Sequence, residues 1–329
     1  MRPTEAFEFP EEQEKQLRKA RRLEIVTILY ICSSATALYF TMGSSQAMRA
    51  SFFEDVISIV PAVTFLICSY IARWPPNRNF PYGYHGVVSI GYLVSSLALI
   101  AMGGFLLIES ALKFLHGERT TIGGMEIFGH TVWAGWPMLV AIAYTAIPSA
   151  ILGHFKLKLA PKIHDKILYA DSEMMKADWK AELATATGVL GVGFGFWWID
   201  PLAAAVVALD ILKDGFGNLG VVVADLMQRR PRKTDRSGYE TLPEDLRRHI
   251  EGLDWVEAAE VRLRESGHVF FGEVFVKPRA TDNLPDRIAS AVEDAKALNW
   301  RLNDVTITVV EKIAGTPQER SAAAPESQG

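Results

Sequence analysis

Long uncharged and mostly apolar stretches occupy the first two thirds of the chain: residues 25–48, 56–72, 86–108, 131–153 and 183–199. A sixth, residues 201–224, is interrupted only by Asp210, Lys213 and Asp214. A helix crossing the hydrocarbon layer needs about 20 predominantly apolar residues. The three longest stretches meet that length alone, and the two of seventeen residues need their polar flanks. The pattern therefore predicts six membrane-spanning helices. Beyond residue 224 it changes. Gln228, Arg229, Arg230, Pro231, Arg232 and Lys233 form a basic linker, and shorter periodic segments follow. Helical spacing is expected over 242–253 and 284–298. Strands are expected over 255–264, 269–277 and 305–310, the first two joined by a hairpin at Ser266, Gly267 and His268. The order α-β-β-α-β predicts a small ferredoxin-like α+β domain. Residues 314–329 lack periodicity and are expected to be disordered. The predicted organisation is a charged N-terminal segment at 1–23, a transmembrane domain at 24–226, a linker at 227–238, a soluble domain at 239–313 and the tail.

Composition supports this division. Hydrophobic residues make up 49% of the 329 positions, more than most soluble domains carry. The net charge of −4 is small and dispersed, which points away from nucleic acid. Cys32 and Cys68 lie in apolar stretches without paired-thiol spacing, so neither a disulfide framework nor a zinc knuckle is expected. The first 23 residues are rich in Glu, Lys and Arg, unlike a cleaved signal peptide. Lys and Arg concentrate in that segment, at Arg73 and Arg78, and at Lys156, Lys158, Lys162 and Lys166, all on one side if the spans alternate. By the positive-inside rule that side is cytoplasmic. Both termini are then expected in the cytoplasm, with the protein a multi-pass component of an inner or plasma membrane and in contact with its lipid.

Ionised groups within a span cost roughly 2.5–3.5 kcal/mol each on insertion scales, so those retained here need a reason. On the second span Ser51, Asp55 and Ser58 share a face. On the fifth, Asp171, Asp178 and Glu182 fall in one narrow arc at 100° per residue, whereas Glu173, Lys176 and Lys180 fall on the opposite arc at ion-pairing spacing. The second arc predicts a self-compensating stripe. The first offers two carboxylates four residues apart that, with a matching pair from another helix, would hold a divalent cation. The alternative is an amphipathic cytoplasmic segment with every carboxylate in water. Glu109 and Asp210 are expected to make polar contacts between helices. The histidines are expected to be structural or, for His249 and His268, superficial.

Three motifs resemble the cation diffusion facilitator family. Trp198, Ile199, Asp200, Pro201, Leu202, Ala203 and Ala204 at the entry to the sixth span look like that family's W-L-D-P-L-A-A stretch. Phe80, Pro81, Tyr82, Gly83, Tyr84 and His85 are similar to its H-P-F-G-Y-G-R loop, with Arg73, Trp74, Pro75 and Pro76 preceding as in R-x-P-P. The resemblance implies export of a divalent metal ion from the cytoplasm in exchange for protons, by a homodimer whose soluble domain dimerises. It implies a transport site at Ser51 and Asp55 on the second span and Asp178 and Glu182 on the fifth. Ser51, Asp178 and Glu182 depart from the family's usual Asp or His followed by Asp. An all-oxygen set favours manganese or another hard ion such as iron over zinc, although zinc is the ion best known for the family. No prosthetic group and no enzymatic activity are expected. The last strand lacks the family's regulatory His. The alternative reading is a non-transporting sensor or scaffold with the same fold.

Overall fold

The computed structural model describes residues 7–41, 46–117, 124–127, 130–133, 135–196 and 198–313. The expected disordered tail, 314–329, lies outside them. The chain divides into two compact units, Met1–Met227 with Lys233–Ser237, and Gln228–Arg232 with Gly238–Gly329.

The first unit is built from six long helices: α1 Glu11–Thr41, α2 Gln46–Ile71, α3 Gly86–His116, α4 Gly135–Ile163, α5 Lys166–Gly193 and α6 Ile199–Leu226. Local sequence explains their ends. Glu11, Glu12 and Glu14 complement the positive end of the α1 macrodipole. Gly117 caps α3 with a left-handed φ of 59°, a conformation that Gly adopts without a Cβ penalty. Among the described residues two helical segments, Glu54–Ile71 and Gly86–His116, are long and apolar enough to cross a membrane by length and composition alone. α3 packs along α6 and α4 along α5, while α5 also touches α2 and α3. Buried apolar residues from these helices gather in two main clusters, one around Phe65, Tyr92, Ile163 and Ile167, the other around Leu99, Met102, Met174 and Ile211.

Two boundaries differ from the sequence expectation. Residues 131–133, expected to open the fourth span, belong instead to a hairpin of β1 Gly124–Ile127 and β2 His130–Trp133. Thr131 and Val132 are β-branched and suit a strand as well as a helix. The turn expected at Trp198 to Pro201 lies earlier, at Phe194 to Phe196, with Gly195 at φ 88° and α6 already begun at Ile199. Pro201 sits in the first turn of α6, where its missing N–H costs nothing.

The second unit follows the order α7 Leu242–Glu251, β3 Val256–Ser266, β4 Val269–Pro278, α8 Leu284–Leu298 and β5 Leu302–Val309, which matches the expected α-β-β-α-β series. β4 is central, antiparallel to β3 and parallel to β5. Leu246 and Ile250 of α7 and Ala291 and Ala295 of α8 join Phe270, Val274 and Val305 of the sheet in one core. His268, expected at the surface, is buried in the β3–β4 hairpin.

Candidate functional site between α2 and α5

A hydrogen bond of 2.7 Å from Ser58 Oγ to Asp178 Oδ1 links α2 and α5. Asp55 precedes Ser58 by three residues and therefore shares its face. Its carboxylate accepts from Ser34 of α1, while its Oδ2 is buried without a hydrogen-bond partner. Glu182, one turn beyond Asp178, is reached by the hydroxyl of Thr145 on α4. The same residue's carbonyl accepts 2.6 Å from Tyr30 Oη of α1. Asp55 and Glu182 are among the charges that act on Asp178, and Asp55 also acts on Glu182.

Three of the four expected site residues thus lie in one neighbourhood of α1, α2, α4 and α5. The fourth, Ser51, is on α2, but its side chain falls outside the described residues. Among the described residues no group of three or more His, Cys, Asp or Glu is gathered closely enough to hold a metal ion. Glu54 lies within electrostatic range of Glu109, Glu182 and Asp178, at the margin of this acidic region. The hydroxyls of Ser34, Tyr30 and Thr145 were missed from the sequence. They sit in apolar helices without motif spacing, and only the arrangement of helices reveals them.

The opposite arc of α5 corrects the expected self-pairing. Lys176 donates to Asp214 over 2.7 Å, and Lys180 pairs with Asp210, both on α6. Glu173 instead accepts from Arg236 Nη2 at 2.9 Å and Asn218 Nδ2 at 2.8 Å. Asp210 therefore does bridge helices as expected. Glu109 pairs with Lys113 within its own helix, at 2.8 Å, rather than between helices. Asp171 shares the arc of Asp178 and Glu182 but is fully buried and bonded to Lys156 of α4, which excludes the reading that leaves every carboxylate of α5 in water.

Chemically, the α2–α5 region is an acidic, oxygen-only environment rimmed by hydroxyls. Such donors suit hard cations. The same carboxylates take up protons, so a cation and protons compete for them.

The description "Cation efflux transmembrane domain" belongs to the family model that matches residues 23–227. Over 204 residues the chain is 25% identical to the manganese efflux system protein MneS of Bacillus subtilis strain 168, covering 61% of this chain and 66% of that protein. It is 26% identical over 209 residues to the cadmium, cobalt and zinc/H(+)-K(+) antiporter of the same organism, covering 62% and 58%. With the magnetosome protein MamM of Paramagnetospirillum magneticum it shares 25% over 191 residues, covering 58% and 56%. The chain thus spans less than two thirds of the length of these curated relatives.

Proposed function

Because the chain belongs to the cation efflux family, we propose that it is a secondary active transporter that exports a divalent metal ion from the cytoplasm in exchange for protons. The observation that carries this reading is the convergence of Asp55, Asp178 and Glu182 on one α2–α5 neighbourhood, within the matched domain. Ser51, Asp55, Asp178 and Glu182 form the transport site in this reading. Names of relatives that specify manganese efflux and a proton-linked antiporter support the substrate class and the coupling. The oxygen-only donor set favours manganese over zinc.

Six spans and cytoplasmic termini belong to the same proposal. Large apolar side chains are exposed on the outer faces of the helices: Leu29 on α1, Ile67 on α2, Val94 on α3, Val140 on α4, Leu183 on α5 and Val206 on α6. Contiguous outward apolar surface is what lipid covers. Ser58, Ser95, Ser96 and Asn218 are buried between the helices.

Antiport follows from ligand chemistry. Loading requires ionised carboxylates, and opening to a more acidic side with little free metal lets protons replace the cation. The competing scaffold or sensor reading draws on one observation, that the described carboxylates are not gathered into a closed metal cluster. Two measurements decide. Titrations of Mn²⁺, Zn²⁺, Fe²⁺ and Mg²⁺ on wild type and Asp55→Ala should show weakened binding in the variant, and equal affinities for every metal would remove Asp55 from the site. Proteoliposome uptake should respond to an imposed pH gradient. No flux of any divalent ion by folded protein would favour the scaffold.

A further inference from the structure

A second ionisable centre lies away from the α2–α5 carboxylates. Glu24 of α1, Lys156 of α4 and Asp171 of α5 are each fully buried. Lys156 Nζ donates to Glu24 Oε2 at 2.8 Å and to Asp171 Oδ2. The two carboxyl groups also lie within hydrogen-bonding reach of each other. Yet Glu24 Oε1 and Asp171 Oδ1 are buried without a hydrogen-bond donor. Two carboxylates and one ammonium leave an unbalanced negative charge out of water, and burial penalises such a charge heavily. Two acceptor groups within bonding reach also need a hydrogen between them.

Lys156 is the cation whose charge acts on Glu24 among the described residues. The charges acting on Glu24 are those of Asp171 from α5 and Lys156 from α4. On the side of the transport site Asp171 acts on Asp178. Within two turns along their helices, Leu152, Met175 and Ile31 form a buried cluster with Leu23 against it, and Thr27, one turn from Glu24 on α1, is buried as well. At Gly153 the α4 backbone comes so close to α5 that an added Cβ would meet Met175 Cβ at 2.8 Å.

We propose that the buried cluster of Glu24, Lys156 and Asp171 is a proton-binding site, in which Glu24 carries the proton and donates it to Asp171 beside the Lys156 ammonium. The proton completes the hydrogen bond between the carboxyls and cancels the excess charge. Asp171 stands two helical turns from Asp178 on the same face, about 10 Å along the axis. On the transporter reading, from which this consequence alone derives, the cluster exchanges protons with the carboxylates of the transport site.

The experiment uses the metal-free full-length protein in lipid nanodiscs at neutral pH. Infrared difference spectra of wild type against Glu24→Gln and against Asp171→Asn should each show loss of a protonated-carboxyl C=O band. A band unchanged in both variants overturns the proposal. Solid-state NMR of the wild type with labelled carboxyl carbons reads the same state without substitution. A protonated-type shift for Glu24 supports it, and an ionised Glu24 carboxylate overturns it. In proteoliposomes, Glu24→Gln should lose the response of Mn²⁺ flux to cytoplasmic pH. Wild-type protein without flux would sink the transporter reading while leaving the spectroscopic result standing.

Discussion

Ser58 of α2 holds Asp178 of α5 through one hydroxyl, at 2.7 Å. Hydrogen bonds to charged groups contribute about 1.5–3 kcal/mol, and partners that orient metal-binding side chains typically change affinity by about 10–100-fold. On the proposed transport reading, Ser58→Ala should weaken Mn²⁺ binding by roughly tenfold, measured by titration calorimetry, while Ser58→Thr keeps most of it. A variant with wild-type affinity would mean that Asp178 is not positioned by this contact. Glu14 carries a different sensitivity, at the N-terminal end of α1. Partial burial opposes its ionisation, but hydrogen bonds from Arg73 and Arg18, with their charges, outweigh this and hold its carboxyl below the ordinary value of 4.5. A depressed carboxyl stabilises the folded state above that value and loses the contribution as pH falls through the lowered one. The pair is largely solvent-screened, so Glu14→Gln should cost less than about 1 kcal/mol. Melting curves of the two proteins should converge in acid. Only part of this was legible at the residue scale. The positions of Asp55, Asp178 and Glu182 along their helices follow from spacing, but Lys176 and Lys180 were matched to the wrong partner, because a helical wheel shows neighbours on one helix and not the carboxylates that α6 brings closer.

Helix contacts depend on residues that are small rather than apolar. α3 and α6 approach at two reciprocal points: a Cβ on Gly103 would meet Leu212 N at 3.1 Å, and one on Gly215 would meet Ile100 Cγ1 at 2.8 Å and Ile100 N at 3.1 Å. Small residues let helix backbones come together where lipid removes the hydrophobic drive for association. The obstacle at Gly215 is partly backbone, which cannot swing aside as a side-chain tip can. Gly215→Ala should destabilise the helical unit by about 1–3 kcal/mol through overpacking, seen as a lower midpoint in detergent. The same change at Gly104, whose Cβ would meet nothing within 4 Å, should be neutral or slightly stabilising. An equal effect at both glycines would refute the close approach. Helix existence was legible from uncharged length. The β1–β2 hairpin was not, since the run at residues 131–133 continues the apolar signal of α4, and periodicity over three residues cannot separate strand from helix.

The second unit tests how far the molecule is modular. Its core draws on both helices and all three strands of the sheet, so it contains what an independent fold requires, and domains of about 55–65 residues do fold alone. Its element order was readable because hairpin and helix signals alternate at short range. The linker was less so, since a run of basic residues carries no sign of where each one docks. Arg232 bridges Tyr239 in an antiparallel pair, Arg230 and Arg232 stack over the Tyr239 ring, and Arg230 meets Glu244 at 2.5 Å. Arg301 meanwhile holds Glu240 through both guanidinium ends at 2.7 and 3.2 Å, in a half-buried pair. A fragment of residues 228–313 should unfold cooperatively in urea. One beginning at residue 238 keeps the Arg301–Glu240 pair but loses the backbone bonds of Pro231 and Arg232 to Glu240 and Tyr239 together with exposed contacts worth about 0.5–1 kcal/mol each, so its stability should fall by about 2–3 kcal/mol. Arg301→Ala should cost as much or more, because it strands a carboxylate. Sedimentation of the longer fragment then tests the dimerisation expected of this unit: a concentration-dependent dimer supports it, and a monomer at every concentration places self-association, if the full protein shows any, in the helical unit.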